Sequence, residues 1–241
     1  MGKNVRILAQ LQEIDLKIDS SRGETQALQS EIHSLEAQTE EKQLEIAQQK
    51  SELSAVEEEK KILEENLASE SDSIARSEER LREIKTQKEY QAVSKEIAAA
   101  KKVKADLEDQ ILQKITRSDE LNALVTEKEG YLREFEVNSS VRKGELRARI
   151  DQLEADISAV SVARDETAKA VAPAMMKRYE TLREKRQGVA IAEAKGGSCL
   201  GCNMNLPPQL FNSLFKEDTY VTCPHCQRLL FMRDAGGDVA E

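Results

Sequence analysis

From Ile7 the chain can be walked in alternating steps of four and three residues, and the walk keeps landing on aliphatic side chains as far as Ile84. The positions reached include Leu11, Ile14, Ile18, Leu28, Ile32, Leu35, Ile46, Leu53, Val56, Leu63, Leu67, Ile74 and Leu81. Between them stand Ser21, Thr25, Thr39, Lys42, Gln49, Lys60, Glu70 and Ser77. No proline interrupts the run and Gly23 is its one glycine. A 3.5-residue apolar period held over many turns is the signature of a left-handed coiled coil. A disordered charged segment would not keep that register.

A second stripe runs through Tyr90, Val93, Ile97, Ala100, Leu107, Ile111, Leu121, Val125, Leu132 and Phe135. It fades in "EVNSSVRKGE" (136–145) and resumes, shifted by one position, as Leu146, Ile150, Leu153, Ile157 and Val160. That shift reads as a stutter, with Asn138 and Gly144 marking local weakness or a kink. Between the stripes, Thr86 and Glu89 have capping-box spacing, which restarts a helix there. The arms on either side are nearly equal in length, so a hairpin would bury its stripe within one chain. Each arm would be about 120 Å long. The competing arrangement is an uninterrupted helix in a parallel dimer.

Composition agrees with a rod. Charged residues make up 34% of the 241 residues, aromatics 3%, and tryptophan is absent, a bias seen in long helices and coiled coils. The net charge of −9 is uneven. Residues 85–104 carry six Lys and two Glu, and residues 172–187 carry five Lys/Arg and two Glu, so two basic islands sit on an acidic chain. Such a chain is a poor general nucleic-acid binder. No apolar run approaches a membrane span, and "MGKNVRILAQLQEIDLK" has no signal-peptide core. The expectation is a cytoplasmic protein with reduced thiols.

All four cysteines lie near the C-terminus. Cys199 and Cys202 are two residues apart in the intervening chain, as are Cys223 and Cys226, with twenty residues between the pairs. Two CxxC turns can set four thiolates around one Zn²⁺, and four thiolates leave no open coordination position. The site is expected to be structural. Gly201 would ease the first turn and Pro224 stiffen the second. His225 is read as a knuckle residue rather than a ligand. Before the cysteines, "VAIAEA" (189–194) alternates like a strand. "LPPQLFNSLF" reads as a proline-started helix or turn. The segments around the second pair, "YVTC" and "RLLFM", read as a hairpin. Phe211, Phe215, Tyr220 and Phe231 supply half of the chain's aromatics. So small a module needs a staple, and the metal supplies it.

The expected organisation is therefore an antiparallel coiled-coil hairpin over 1–171 with its turn near 84–88, then a basic neck helix over 172–187 opened by Pro173. A zinc ribbon follows over 188–235, and a disordered tail over 236–241. The fold class is mainly α with a small β ribbon.

Three stretches carry a resemblance to a bacterial family of coiled-coil proteins with a C-terminal four-cysteine zinc ribbon, which includes a flagellar-regulation branch. They are "TQKEYQAVSKEI" (86–97), "YETLREKRQGVA" (179–190) and "GGSCLGCNMNLPPQL" with "VTCPHCQRLLF". Two departures are mild: Thr86-Gln87 replaces an Asn-Lys-like opening, and Val93 stands where Leu is usual. The resemblance implies a long helical hairpin with a zinc ribbon at its base. It also implies links to flagellar gene expression, to a nitrogen-type alternative sigma factor, to secretion-apparatus proteins or to RNA.

Catalysis has no visible constellation. His33 lies inside the rod and His225 in the knuckle, and there is no nucleophile–base set, phosphate loop or open metal site. The leading expectation is a non-enzymatic adaptor or chaperone-like protein whose partner is a sigma factor or a flagellar or secretion component. RNA binding is the second reading and a coiled-coil spacer the third; monomer and dimer both stay open. Candidate partner-binding residues are Lys85, Lys88, Tyr90 and Lys95 at the hairpin turn, with Lys177, Arg178, Tyr179, Arg183, Lys185 and Arg186 in the neck.

Overall fold

The structure is a computed structural model that describes residues 3–215 and 221–232. Tyr220 and the expected tail at 236–241 lie outside the described residues. Helix α1 spans Lys3–Glu83 and α2 spans Gln87–Lys169. A shorter α3 follows at Pro173–Lys185. Together α1 and α2 make a long helical hairpin. The chain divides into two compact units, residues 33–142 and residues 1–32 with 143–241.

In the first of these units, the residues facing the partner helix are those of the two stripes. Ile46, Ile74, Val93, Ile97, Ile111, Leu121 and Val125 are buried. Every α1 stripe position here is buried or half-buried except Lys42, whose ammonium lies 5.2 Å from the centre of the Phe135 ring. Inter-helix pairs give the direction. They run from Gln43–Glu136 (2.9 Å) through Arg117–Glu52 (2.5 Å) to Lys101–Glu78 (2.6 Å). The α1 number rises as the α2 number falls, so the arms are antiparallel within one chain.

The turn occupies residues 84–86. Thr86 Oγ1 accepts from the Glu89 backbone N–H at 3.4 Å and donates to the Glu89 carboxylate at 2.7 Å. The glutamate thus reaches back to the hydroxyl, a variant of the capping box. Ile74, Val93 and Ile97, with Leu81, Ile84 and Ala100, close the hairpin below the turn. Tyr90, on the second stripe, takes no part in this and is 51% exposed.

The weakening expected at 136–145 does not interrupt the helix: α2 stays helical throughout. Buried or half-buried positions step through Leu132, Phe135, Ser139, Lys143 and Leu146. Two consecutive steps of four are a stutter, which shifts the seam without breaking the helix. Small Ser139, 4% exposed, fills the shifted position.

In the second unit, Arg149 pairs with Glu24 at 2.8 Å and Leu146, Ile150 and Leu153 are buried. Here α1 buries a second face as well. Leu8 and Leu11 join Val171, Tyr179, Leu182, Ala190, Ile191 and Leu229 in one core, so α3 and the C-terminal sheet pack on the start of α1. Pro173 opens α3 at its first turn, where a missing N–H costs nothing. Gln187 and Gly188, at φ 54° and 87°, turn the chain out of it.

The sheet contains β1 (Ile191–Lys195), β2 (Ser198–Cys199), β3 (Met204–Asn205), β4 (Val221–Thr222) and β5 (Leu229–Phe231), in the order β3-β2-β1-β5-β4. The β4–β5 pair is the expected hairpin, with Val221 opposite Leu230. Strand β1 runs parallel to β5. A one-turn helix, α4 (Pro208–Ser213), lies between β3 and β4. Gln12 of α1 docks the sheet: its amide donates to the Ile191 carbonyl at 2.9 Å and accepts from the Ile191 N–H at 2.7 Å.

Candidate metal centre and basic surfaces

Each CxxC forms a tight turn. Asn203 N–H donates to the Cys199 carbonyl at 2.7 Å, and Gln227 N–H to the Cys223 carbonyl at 2.9 Å. The residue after each pair, Asn203 or Gln227, takes a left-handed conformation at φ 56° or 63°. The two turns are thus near copies of one another. They bring the sulfurs of Cys199, Cys202, Cys223 and Cys226 within 4.8 Å of one another.

The chemistry fits zinc. Bond lengths of about 2.3 Å in a tetrahedron place neighbouring thiolate sulfurs about 3.8 Å apart. Cys199 and Cys226 are 3.8 Å apart, and Cys202 and Cys223 3.7 Å. These four cysteines are positioned to bind one zinc ion. Burial pushes the Cys199 thiol up to about 12, against backbone donation from Gly201 and Cys202. Burial also raises Cys226, but the backbone N–H of Arg228 and neighbouring thiols outweigh it and bring it down to about 7. Once bound, a zinc ion keeps coordinating thiols deprotonated. His225 is exposed, in keeping with a knuckle residue outside the ligand set.

Gly201 is needed for a reason other than the expected one. Its φ is ordinary, but a Cβ there would lie 2.7 Å from the Ala192 Cβ and 2.9 Å from the Arg228 Cδ. Close packing excludes a side chain. The residues with positive φ in the turns are Asn203 and Gln227.

The neck candidates divide in two. Tyr179, expected among the partner-binding residues, is fully buried and its hydroxyl donates to Asp15 Oδ2 at 2.8 Å. Burial, then this hydrogen bond, holds the Tyr179 hydroxyl well above its usual range. Arg183 points inward, 3.4 Å from Asp15 and 2.6 Å from Asp19. Arg164 adds a contact to Asp15 at 3.1 Å. Arg186 donates to the Cys226 carbonyl at 2.9 Å. Three of the six neck candidates are therefore committed to holding α3 in place. Lys177, Arg178 and Lys185 remain exposed. They line a groove of about 520 Å³ with Ala174, Thr181, Leu182, Thr222 and Gln227. No carboxylate is among these lining residues. At the hairpin turn, Lys85, Lys88, Tyr90 and Lys95 are all exposed.

Residues 198–230 match the family model described as a C4-type zinc ribbon domain. Residues 11–187 match that of the CT398-like coiled coil hairpin domain. The chain belongs to the CT398-like hairpin family. Among solved structures it is similar to CT398 of Chlamydia trachomatis, at 23% identity and a TM-score of 0.91, covering 95% of this chain and 98% of that one. A Mycobacterium smegmatis protein aligns at 22% identity and a TM-score of 0.70, covering 97% and 100%. HP0958 of Helicobacter pylori aligns at 17% identity and a TM-score of 0.65, covering 97% and 99%. At these identities the likeness is one of fold. No curated protein matches the sequence.

For this member of the CT398-like family, the residue that sequence reading missed is Asp15. It stands one position off the stripe, between Ile14 and Ile18, yet it is 1% exposed. A heptad walk reports one face of a helix and is blind to a second contact. A signal did exist: Leu8, Leu11, Asp15 and Ile18 repeat at steps of three and four, which defines that second face. No helix among the described residues is long and apolar enough to cross a membrane.

Proposed function

We propose that the chain is a non-enzymatic adaptor of the cytoplasm that docks acidic segments of protein partners. The observation that carries this reading is the division of the neck. Tyr179, Arg183 and Arg186 serve the fold, whereas Lys177, Arg178 and Lys185 line a groove with no acidic lining residue. Concentrating cations on a chain of net charge −9 creates a local attraction for a carboxylate-rich surface. The exposed Tyr90 and lysines at the hairpin turn form a second contact surface. The apolar lining residues Ala174 and Leu182 suit an aliphatic side chain beside the carboxylates. In keeping with the resemblance in its sequence, the partner is an alternative sigma factor or a flagellar or secretion component. In this reading the hairpin (1–171) carries the contact at the turn, while the neck (172–187) and ribbon (188–235) form the other.

RNA recognition is weakened by the burial of Tyr179. Sequence-specific reading of single strands relies on exposed stacking platforms, and the neck offers no exposed aromatic one. The test is capture of partners from the host lysate with tagged full-length protein, with and without nuclease. The wild type is compared with K177E/R178E/K185E. A sigma factor or export component that survives nuclease and is lost with the charge reversal supports the adaptor. Enriched transcripts, with proteins lost on nuclease treatment, would replace it with RNA binding.

A further inference from the structure

We propose that Arg228 is the positioning residue of the zinc centre: its guanidinium clamps the two CxxC turns to each other and to α3, and so sets how tightly the metal is held. Arg228 lies two residues after Cys226 and is half-buried. Its Nη1 donates to the Gly201 carbonyl at 2.7 Å, inside the other CxxC turn. Its Nε donates to the Val189 carbonyl at 2.9 Å and its Nη2 to the Arg186 carbonyl at 3.4 Å. Arg186 returns a bond from Nε to the Cys226 carbonyl at 2.9 Å.

These bonds share with the metal the work of holding the two turns together. The contact to Gly201 ties one turn to the other through protein atoms, so the ion does not have to fix the spacing of the thiols alone. Pre-organisation of this kind raises affinity because less ordering remains to be done on binding. The close packing of Gly201 against the Arg228 stem keeps the guanidinium at its carbonyl acceptors. Four thiolates and one Zn²⁺ also carry a formal charge of about −2, and a guanidinium beside them offsets part of it. Lysine can supply the charge but not a fork reaching three carbonyls. That difference separates clamping from simple charge compensation.

The test uses full-length protein loaded with one zinc ion. Zinc affinity is measured by competition with a chromogenic chelator, and release by transfer to the same chelator. Cobalt-substituted protein reports the four-thiolate geometry by its absorption. Losing an outer-shell partner lowers metal affinity about 10–100-fold. R228Q is expected to fall in that range, R228K nearly as far, and R186Q by less, each with a tetrahedral cobalt spectrum. R228K at wild-type affinity would overturn the clamp, since charge would then suffice. If R228Q fails to fold at saturating zinc, R228K and R186Q decide: weakened affinity with an unchanged cobalt spectrum supports the proposal, and wild-type affinity in both overturns it.

Discussion

The hairpin segment of residues 33–142 and the core around Tyr179 and the cysteines are stabilised in different ways. The hairpin repeats one modest interaction many times: an aliphatic seam position, a flanking ion pair, then the same again. Lys42 and Ser139 occupy seam positions without stopping either helix. The core around Tyr179 and the cysteines uses each interaction once. Asp15 has Tyr179, Arg164 and Arg183 around it, Gln12 has Ile191, and the two CxxC turns share one metal site. A repeated design tolerates single losses, and a design of single contacts does not.

The largest expected effect follows from breaking the metal set. Structural zinc contributes about 10–16 kcal/mol of apparent binding free energy in small zinc modules. Cys226→Ser should therefore leave residues 188–231 open to protease while far-UV circular dichroism retains nearly all its helical signal.

Next is the buried network. Asp15→Ala leaves two arginines and a tyrosine facing a hole. It should cost about 3 kcal/mol, the low end for a broken buried pair, because both arginine side chains keep some solvent contact. Tyr179 adds a pH signature. Its hydroxyl is held above the usual range in the folded state, so its contribution is complete below the unfolded value of about 10 and is lost as pH rises beyond it. Denaturant titrations from pH 8 upward should show Tyr179→Phe with a shallower alkaline decline than the wild type.

Gly201→Ala should cost about 2 kcal/mol by overpacking against Ala192 and Arg228. Thermal unfolding of the zinc-loaded ribbon reads it directly. The smallest effect belongs to the hairpin surface. Lys50→Gln removes an exposed pair with Glu129, and such pairs contribute little. No shift in the melting temperature should be resolvable.

The same contrast explains what could be read in advance. The seam is periodic, so Ile46, Val93 and Leu121 announce themselves by spacing, and so do the four cysteines. The turn is marked by Thr86 and Glu89. Tyr179 and Arg183 read as partner-binding residues in the sequence because a short basic helix has no periodic signal strong enough to orient it. Their orientation depends on Asp15, more than 160 residues away. Gly201 reads as a turn glycine because the residues that exclude a side chain there, Ala192 of β1 and Arg228, are distant in sequence. Pairings that bridge distant segments through single side chains leave no pattern in the sequence.

Hydrogen exchange on the intact chain, before and after removal of zinc by a chelator, tests the contrast most directly. The account predicts that amides of residues 191–215 and 221–231 lose protection on chelation while those of residues 46–125 keep theirs. Protection retained across the ribbon without metal, or lost along the hairpin with it, would contradict the account.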